Sequence, residues 1–63
     1  MNSLVDFRVS NNLTQKQMAD KLGTTLSYYS KVELGKRNPS YNFLIKFKST
    51  FSEVNIDKLF FTN

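Results

Sequence analysis

The stretch that decides the fold runs Leu13-Thr14-Gln15-Lys16-Gln17-Met18-Ala19-Asp20-Lys21-Leu22-Gly23-Thr24-Thr25-Leu26-Ser27-Tyr28-Tyr29-Ser30-Lys31-Val32-Glu33-Leu34-Gly35. It opens on a capping box, in which the Thr14 hydroxyl can accept from the Gln17 amide while the Gln17 side chain reaches back. Met18, Ala19 and Leu22 then share one helical face, and Gly23 stops the helix. At about two and a half turns, such a helix needs tertiary contacts to be stable. Thr24-Thr25 offers a fresh N-cap. From Leu26 a second helix runs to Leu34, and Gly35 ends it. Two short helices at about 14–22 and 25–34, joined by about three residues at a glycine, have the spacing of a helix-turn-helix.

The same punctuation continues outward in both directions. Ser3 to about Ser10 predicts a first helix carrying Leu4 and Phe7 three apart with Arg8 beside them, ended at Asn11-Asn12 because Asn tolerates the left-handed conformation. After Gly35, Lys36-Arg37-Asn38 makes a basic turn before Pro39. Ser40 caps a fourth helix with Leu44, Ile45, Phe47 and Phe51 expected inward. Asn55 caps a fifth with Ile56, Leu59 and Phe60 as its apolar positions. Almost nothing alternates as a strand would, so the class is all-α.

Faces of the Leu26–Leu34 helix follow from an advance of about 100° per residue. Tyr29 and Val32 form the inner side. Ser27 and Lys31 fall at about 160° and 200° from Tyr29, with Ser30 beside them and Leu26 and Tyr28 on the flanks. That outer side holds no acid. Small hydroxyls, one ammonium and a flanking phenol suit a DNA major groove, although taken alone they better describe an ordinary solvated helix face. The context tips the balance. A basic turn follows the helix, and Gln15 sits in the first turn of the preceding one, where helix-turn-helix docking grips phosphates.

With 63 residues the chain makes one domain, 1–63, and a domain this small buries only about 60% of its unfolded surface. Having neither Cys nor His, it lacks disulfides, thiol nucleophiles, the commonest general base and the commonest metal ligand. The five acids Asp6, Asp20, Glu33, Glu53 and Asp57 are scattered over different segments, and there is no glycine-rich phosphate loop. An enzyme is therefore excluded, and no metal or cofactor is expected. Nine Lys and Arg against five acids give +4, which favours a polyanion partner or simply solubility. The apolar clusters Phe43-Leu44-Ile45 and Leu59-Phe60-Phe61 fall far short of the ~20 residues a membrane span needs. Met1-Asn2-Ser3 lacks the basic-then-apolar pattern of a secretory signal, so the expected location is the cytoplasm, at the nucleoid.

The run from Leu13 to Thr25, followed by Tyr29, Val32, Glu33 and Gly35-Lys36-Arg37-Asn38-Pro39-Ser40, resembles the Cro/C1-type helix-turn-helix repressors, and the likeness extends from about Leu4 to Phe61. The resemblance implies a compact five-helix, lambda-repressor-like domain whose third helix enters the major groove of double-stranded DNA. It implies that Gln15 contacts phosphate and braces the recognition helix. Thr25, Leu26, Ser27 and Lys31 would touch base edges or neighbouring phosphates, with Tyr28 flanking them. Lys36, Arg37 and Asn38 would meet the backbone. It also implies a small residue at Ala19, where the motif helices cross, and a structural ion pair between Arg8 and Glu33.

Three positions depart from the family pattern. Asn12 stands where a Gly is usual, Ser52-Glu53-Val54 is one residue longer than the usual turn, and Leu26 is apolar. Leu26 either packs on a thymine methyl group or fills core. Phe43, Phe60 and Phe61 are core, rim or association residues, with Phe60 and Phe61 the candidate dimer contacts. The expected function is a sequence-specific transcriptional regulator, a repressor of phage or mobile-element type, acting as a homodimer on a near-palindromic operator. The alternative is a protein-interaction module, an antitoxin or anti-repressor, on the same fold. The absence of a linker after Phe61 fits a free-standing protein.

Overall fold

The computed structural model describes residues 3–61; Met1 and Asn2, considered above for a signal segment, lie outside them. Five helical elements follow one another: α1 (Ser3–Ser10), α2 (Gln15–Lys21), α3 (Leu26–Glu33), α4 (Tyr41–Thr50) and α5 (Asp57–Phe61). Among the described residues there is no strand.

Local side-chain chemistry sets where each helix begins. Thr14 closes the capping box on α2, its hydroxyl accepting from Gln17 N at 3.1 Å and Gln17 Oε1 accepting from Thr14 N at 2.9 Å. Thr25 Oγ1 accepts from Tyr28 N at the start of α3, and Ser40 Oγ accepts from Phe43 N at the start of α4. Asn55 Oδ1 accepts from Lys58 N in the last turn. Each cap satisfies one of the amides that a helix start leaves without a partner.

The first three helices stop in one way. Each ends with a left-handed residue: Asn12 at φ 58°, Gly23 at φ 65° and Gly35 at φ 77°. The two amides that follow each C-cap fold back onto the last turn: Asn12 to Val9 and Leu13 to Arg8, Gly23 to Asp20 and Thr24 to Ala19, Gly35 to Val32 and Lys36 to Lys31. This is the Schellman arrangement, and Asn12 adopts it without glycine's freedom.

The core is built from Leu4, Met18, Ala19, Leu22, Tyr29, Val32, Phe43 and Phe47. All six phenylalanines join one network of ring contacts across α1, α4 and α5, Phe61 through Phe60 alone. Phe7 meets Phe51 edge to face at 5.1 Å, and Phe60 meets Phe47 edge to face at 5.3 Å and Phe43 at 6.1 Å. Offset and edge-on ring pairs of this kind add to what burial alone supplies.

Ile45 corrects the expected inner face of α4: it is 51% exposed, and Phe43 takes its place in the core. Phe43 and Phe47 are one turn apart and share a stripe with Phe51, whereas Ile45 lies half a turn from both and so points away. The chain's last helical element also differs from an ordinary α-helix, forming a single wide π-helical turn over Asp57–Phe61. Ile56, Leu59 and Phe60 are half-buried against the core.

Candidate nucleic-acid interface

The candidate interface is mounted on a buried carboxylate. Glu33, the last residue of α3, is 4% exposed and accepts from three helices at once. Arg8 of α1 donates from Nε to Oε2 at 2.8 Å and from Nη2 to Oε1 at 3.2 Å. Gln15 of α2 donates from Nε2 to Oε1 at 2.8 Å. Within α3, the fully buried Tyr29 donates its hydroxyl to Oε2 at 2.6 Å. Arg8 also donates Nη1 to Leu13 O at 2.8 Å, tying the same group to the turn before α2.

Burial by itself would push the Glu33 carboxyl up, but hydrogen bonds from Arg8, Tyr29 and Gln15 outweigh it and hold its pKa below the ordinary glutamate value. The Tyr29 hydroxyl is shifted the other way, far above the usual tyrosine range, first by burial and then by the Glu33 carboxylate. Arg8 and Glu33 are thus an ion pair inside the fold, and α2 and α3 are fixed to each other through Gln15.

On this mounting α3 divides lengthwise. Tyr29, Val32 and Glu33 are buried, while Leu26, Ser27 and Lys31 face solvent. Leu26 is 44% exposed and stays out of the core. Ser30 is half-buried, with its hydroxyl donating to Ser27 O at 3.1 Å. The Thr25 hydroxyl is occupied as an acceptor at the N-cap and keeps its own proton to donate outward. Gln15 likewise keeps its Oε1 and a second N–H.

Tyr28 lies on the flank, half-buried, with its ring edge to face against Phe43 at 5.6 Å. Its hydroxyl accepts from Ser40 N at 2.9 Å and donates to Asn38 O at 3.4 Å. Lys36, Arg37 and Asn38 are all exposed on the turn between α3 and α4.

The distribution of cations is uneven. Arg8 and Lys16 pair with Glu33 and Asp20, and Lys48 donates to Val54 O. Among the described residues, Lys21, Lys31, Lys36, Arg37 and Lys46 carry no hydrogen bond or ion pair from their side chains. Three of these five belong to α3 or the turn that follows it.

Lys46 was not singled out by the sequence reading. It lines a cleft of about 420 Å³ together with Gly23 and Thr24 of the motif turn, Tyr28, and Asn42 of α4. Asn42 and Lys46 are four residues apart and share a stripe of α4, the spacing that could have marked them. At the other end of α3, Leu34 and Phe60 line a hollow of about 220 Å³ with Leu59 and Pro39. Leu34 is 67% and Phe61 59% exposed, whereas Phe60 turns its ring into the aromatic cluster. Leu34 too was passed over, because a C-cap residue has no fixed place in a helical face count.

Residues 4–59 match the model of a helix-turn-helix family. The chain is 46% identical over 52 residues to the HTH-type transcriptional regulator YqaE of Bacillus subtilis (strain 168), covering 82% of this chain and 44% of that protein. It is 39% identical over 56 residues to the cryptic phage CTXphi transcriptional repressor RstR of Vibrio cholerae serotype O1, covering 89% of this chain and 49% of that one. The chain therefore spans about half the length of these relatives. No solved structure matches it. No helix among the described residues is long and apolar enough to cross a membrane. The capping box, the glycine-stopped turn and a third helix open on one side accordingly stand in a chain that belongs to the Cro/C1-type helix-turn-helix family.

Proposed function

We propose that the chain is a sequence-specific, double-stranded DNA-binding transcriptional regulator, a repressor of phage or mobile-element type. The observation that carries this reading is the open face of α3, with Ser27 and Lys31 outward, no acid among them, and unpaired Lys36 and Arg37 just beyond. The names of the two relatives, one a transcriptional regulator and the other a phage repressor, support it.

In the proposed mechanism α3 enters the major groove. Ser27 and Lys31 meet base edges, and Leu26 packs on a thymine methyl group. Gln15 and Thr25 take phosphates at the two helix N-termini, where free amides and the helix dipole favour anions. Lys36, Arg37 and the Asn38 side chain grip the backbone next to the groove. One domain makes few phosphate contacts and would bind weakly. A homodimer would present two α3 helices about 34 Å apart, one DNA turn, on a near-palindromic operator. Exposed Phe61 and Leu34, beside the hollow lined by Phe60, offer apolar surface for that contact. Occupancy of such a site within a promoter blocks polymerase.

The test is selection from a random duplex pool at two salt concentrations, followed by sequencing of the bound fraction. The expected result is an inverted-repeat motif whose recovery weakens steeply with salt. A folded protein that enriches no motif would overturn the reading. It would instead favour the second one, a protein-interaction module of antitoxin or anti-repressor kind, for which exposed Leu34 and Phe61 are the specific observation.

A further inference from the structure

We infer that the Tyr28 hydroxyl is a positioning group, which staples the basic turn to the third helix, rather than a group that touches DNA. This inference rests on the DNA-binding reading for its functional consequence, while the staple itself is a property of the free protein.

The turn from Lys36 to Asn38 is held at both ends, and both holds lie on α3. At its beginning the amides of Lys36 and Arg37 donate to Lys31 O at 2.8 and 3.2 Å. At its end the Tyr28 hydroxyl accepts from Ser40 N at 2.9 Å and donates to Asn38 O at 3.4 Å. A phenol has one proton to give and lone pairs to accept with, so its donor is engaged by the turn. Tyr28 and Lys31 are three residues apart and neighbours on the helix surface. The ring cannot swing away freely, because it packs edge to face on Phe43.

Two consequences follow from this bracing. The side chains of Lys36 and Arg37 project from a backbone that moves with α3, so groove reading and phosphate gripping belong to one rigid body. The start of α4 is set by the same group, since Ser40 both receives the Tyr28 contact and caps that helix. Without the hydroxyl the turn would lose its second hold and, tied at one end only, would open more often at its first. Its residues would then have to be ordered when DNA binds, and that lost freedom weakens phosphate contacts whatever the base sequence.

The experiment compares the wild type, Tyr28→Phe and a Lys36→Ala/Arg37→Ala double variant. Each is titrated with a random-sequence duplex and with the duplex recovered by selection, over a salt series. Amide hydrogen exchange of Lys36 and Arg37 is measured in each free protein. Tyr28→Phe keeps the ring on Phe43 and removes only the hydroxyl. The expected result is a loss of about three- to tenfold in affinity for both duplexes alike, with a salt slope flatter by about one to two contacts. Lys36 and Arg37 amides, which do not touch Tyr28, should exchange faster.

Wild-type affinity and slope in Tyr28→Phe, with a flattened slope in the double variant, would overturn the inference. So would a loss confined to the selected duplex, which would make the hydroxyl a base contact. If the wild type binds neither duplex, the DNA reading fails by itself. Exchange then decides the staple: faster Lys36 and Arg37 amides in Tyr28→Phe uphold it, and unchanged amides overturn it.

Discussion

Gln15 and Glu33 are joined by a 2.8 Å hydrogen bond from the side-chain amide to Oε1, so the first residue of α2 meets the last residue of α3 at one carboxylate. Arg8 and Tyr29 donate to the same carboxylate. The angle between the motif helices is therefore fixed by a polar group inside the domain as well as by apolar packing. A carboxylate held this way is satisfied only while its partners stay.

Arg8→Ala should destabilise the domain by about 3 kcal/mol, because it leaves Glu33 buried without its cation. A domain of this size has on the order of 3–9 kcal/mol in total, so the loss removes from about a third to nearly all of it. A urea melt followed by circular dichroism measures it. A loss below about 1 kcal/mol would mean that Glu33 is rescued by water.

Stability should fall at both ends of the pH scale. The Glu33 pKa is lower in the folded state than in the unfolded chain, so its contribution is complete above the unfolded value of about 4.3 and is lost as pH falls through the folded one. The Tyr29 pKa is raised, so its contribution is complete below about 10 and is lost as pH rises beyond that. Thermal melts across the range should show both losses. Glu33→Gln should flatten the acid side, and an unchanged acid slope in that variant would assign the effect to other carboxylates.

Asn12→Ala should cost about 1 kcal/mol, the penalty of a Cβ in the left-handed region, while Asn12→Gly should stay near the wild type. Gly35→Ala should behave as Asn12→Ala does, since nothing lies within 4 Å of where its Cβ would stand. Denaturant midpoints of the three variants test whether conformation alone sets the cost.

Lys31→Ala and Lys36→Ala should separate reading from gripping. Loss of Lys31 from a base contact lowers affinity for the selected duplex by ~1–3 kcal/mol and leaves random duplex nearly unaffected. Loss of Lys36 lowers both together and reduces the salt slope by about one. If Lys31→Ala binds the selected duplex like the wild type, Lys31 has no place in the interface.

Phe61→Ser should leave the monomer folded, because that ring is largely outside the core, and should weaken self-association. Sedimentation equilibrium of the two proteins at matched concentrations gives the comparison. Identical association would move the dimer contact elsewhere.

Helix ends were legible in the sequence because the chemistry that sets them is local. Thr14 with Gln17, Thr25, Ser40 and Asn55 needed no tertiary knowledge, and neither did Gly23 or Gly35. The inner face of α4 was harder. Its apolar residues Phe43, Leu44, Ile45 and Phe47 wrap much of the helix, and the choice between Phe43 and Ile45 depends on where α1 and α5 lie. Tyr28 was recognisable as a flank of α3, but the partners of its hydroxyl depend on the path of the turn after Gly35. Tyr29 was expected inward from its angle alone, and nothing in that angle says that its hydroxyl finds Glu33. The cleft beside Gly23 also needed the third dimension, although the spacing of Asn42 and Lys46 hinted at it.

The lengthwise division of α3 has a bearing on how such a chain diverges among lineages. Leu26, Ser27 and Lys31 can be exchanged without disturbing Tyr29, Val32 or Glu33, since the two sets share a helix but not a surface. Drift on the open side is nearly invisible to folding, so new preferences can be sampled in single steps. Change at Glu33 has no such latitude: four residues from three helices would have to alter together, which makes that carboxylate the part of the domain expected to be inherited unchanged.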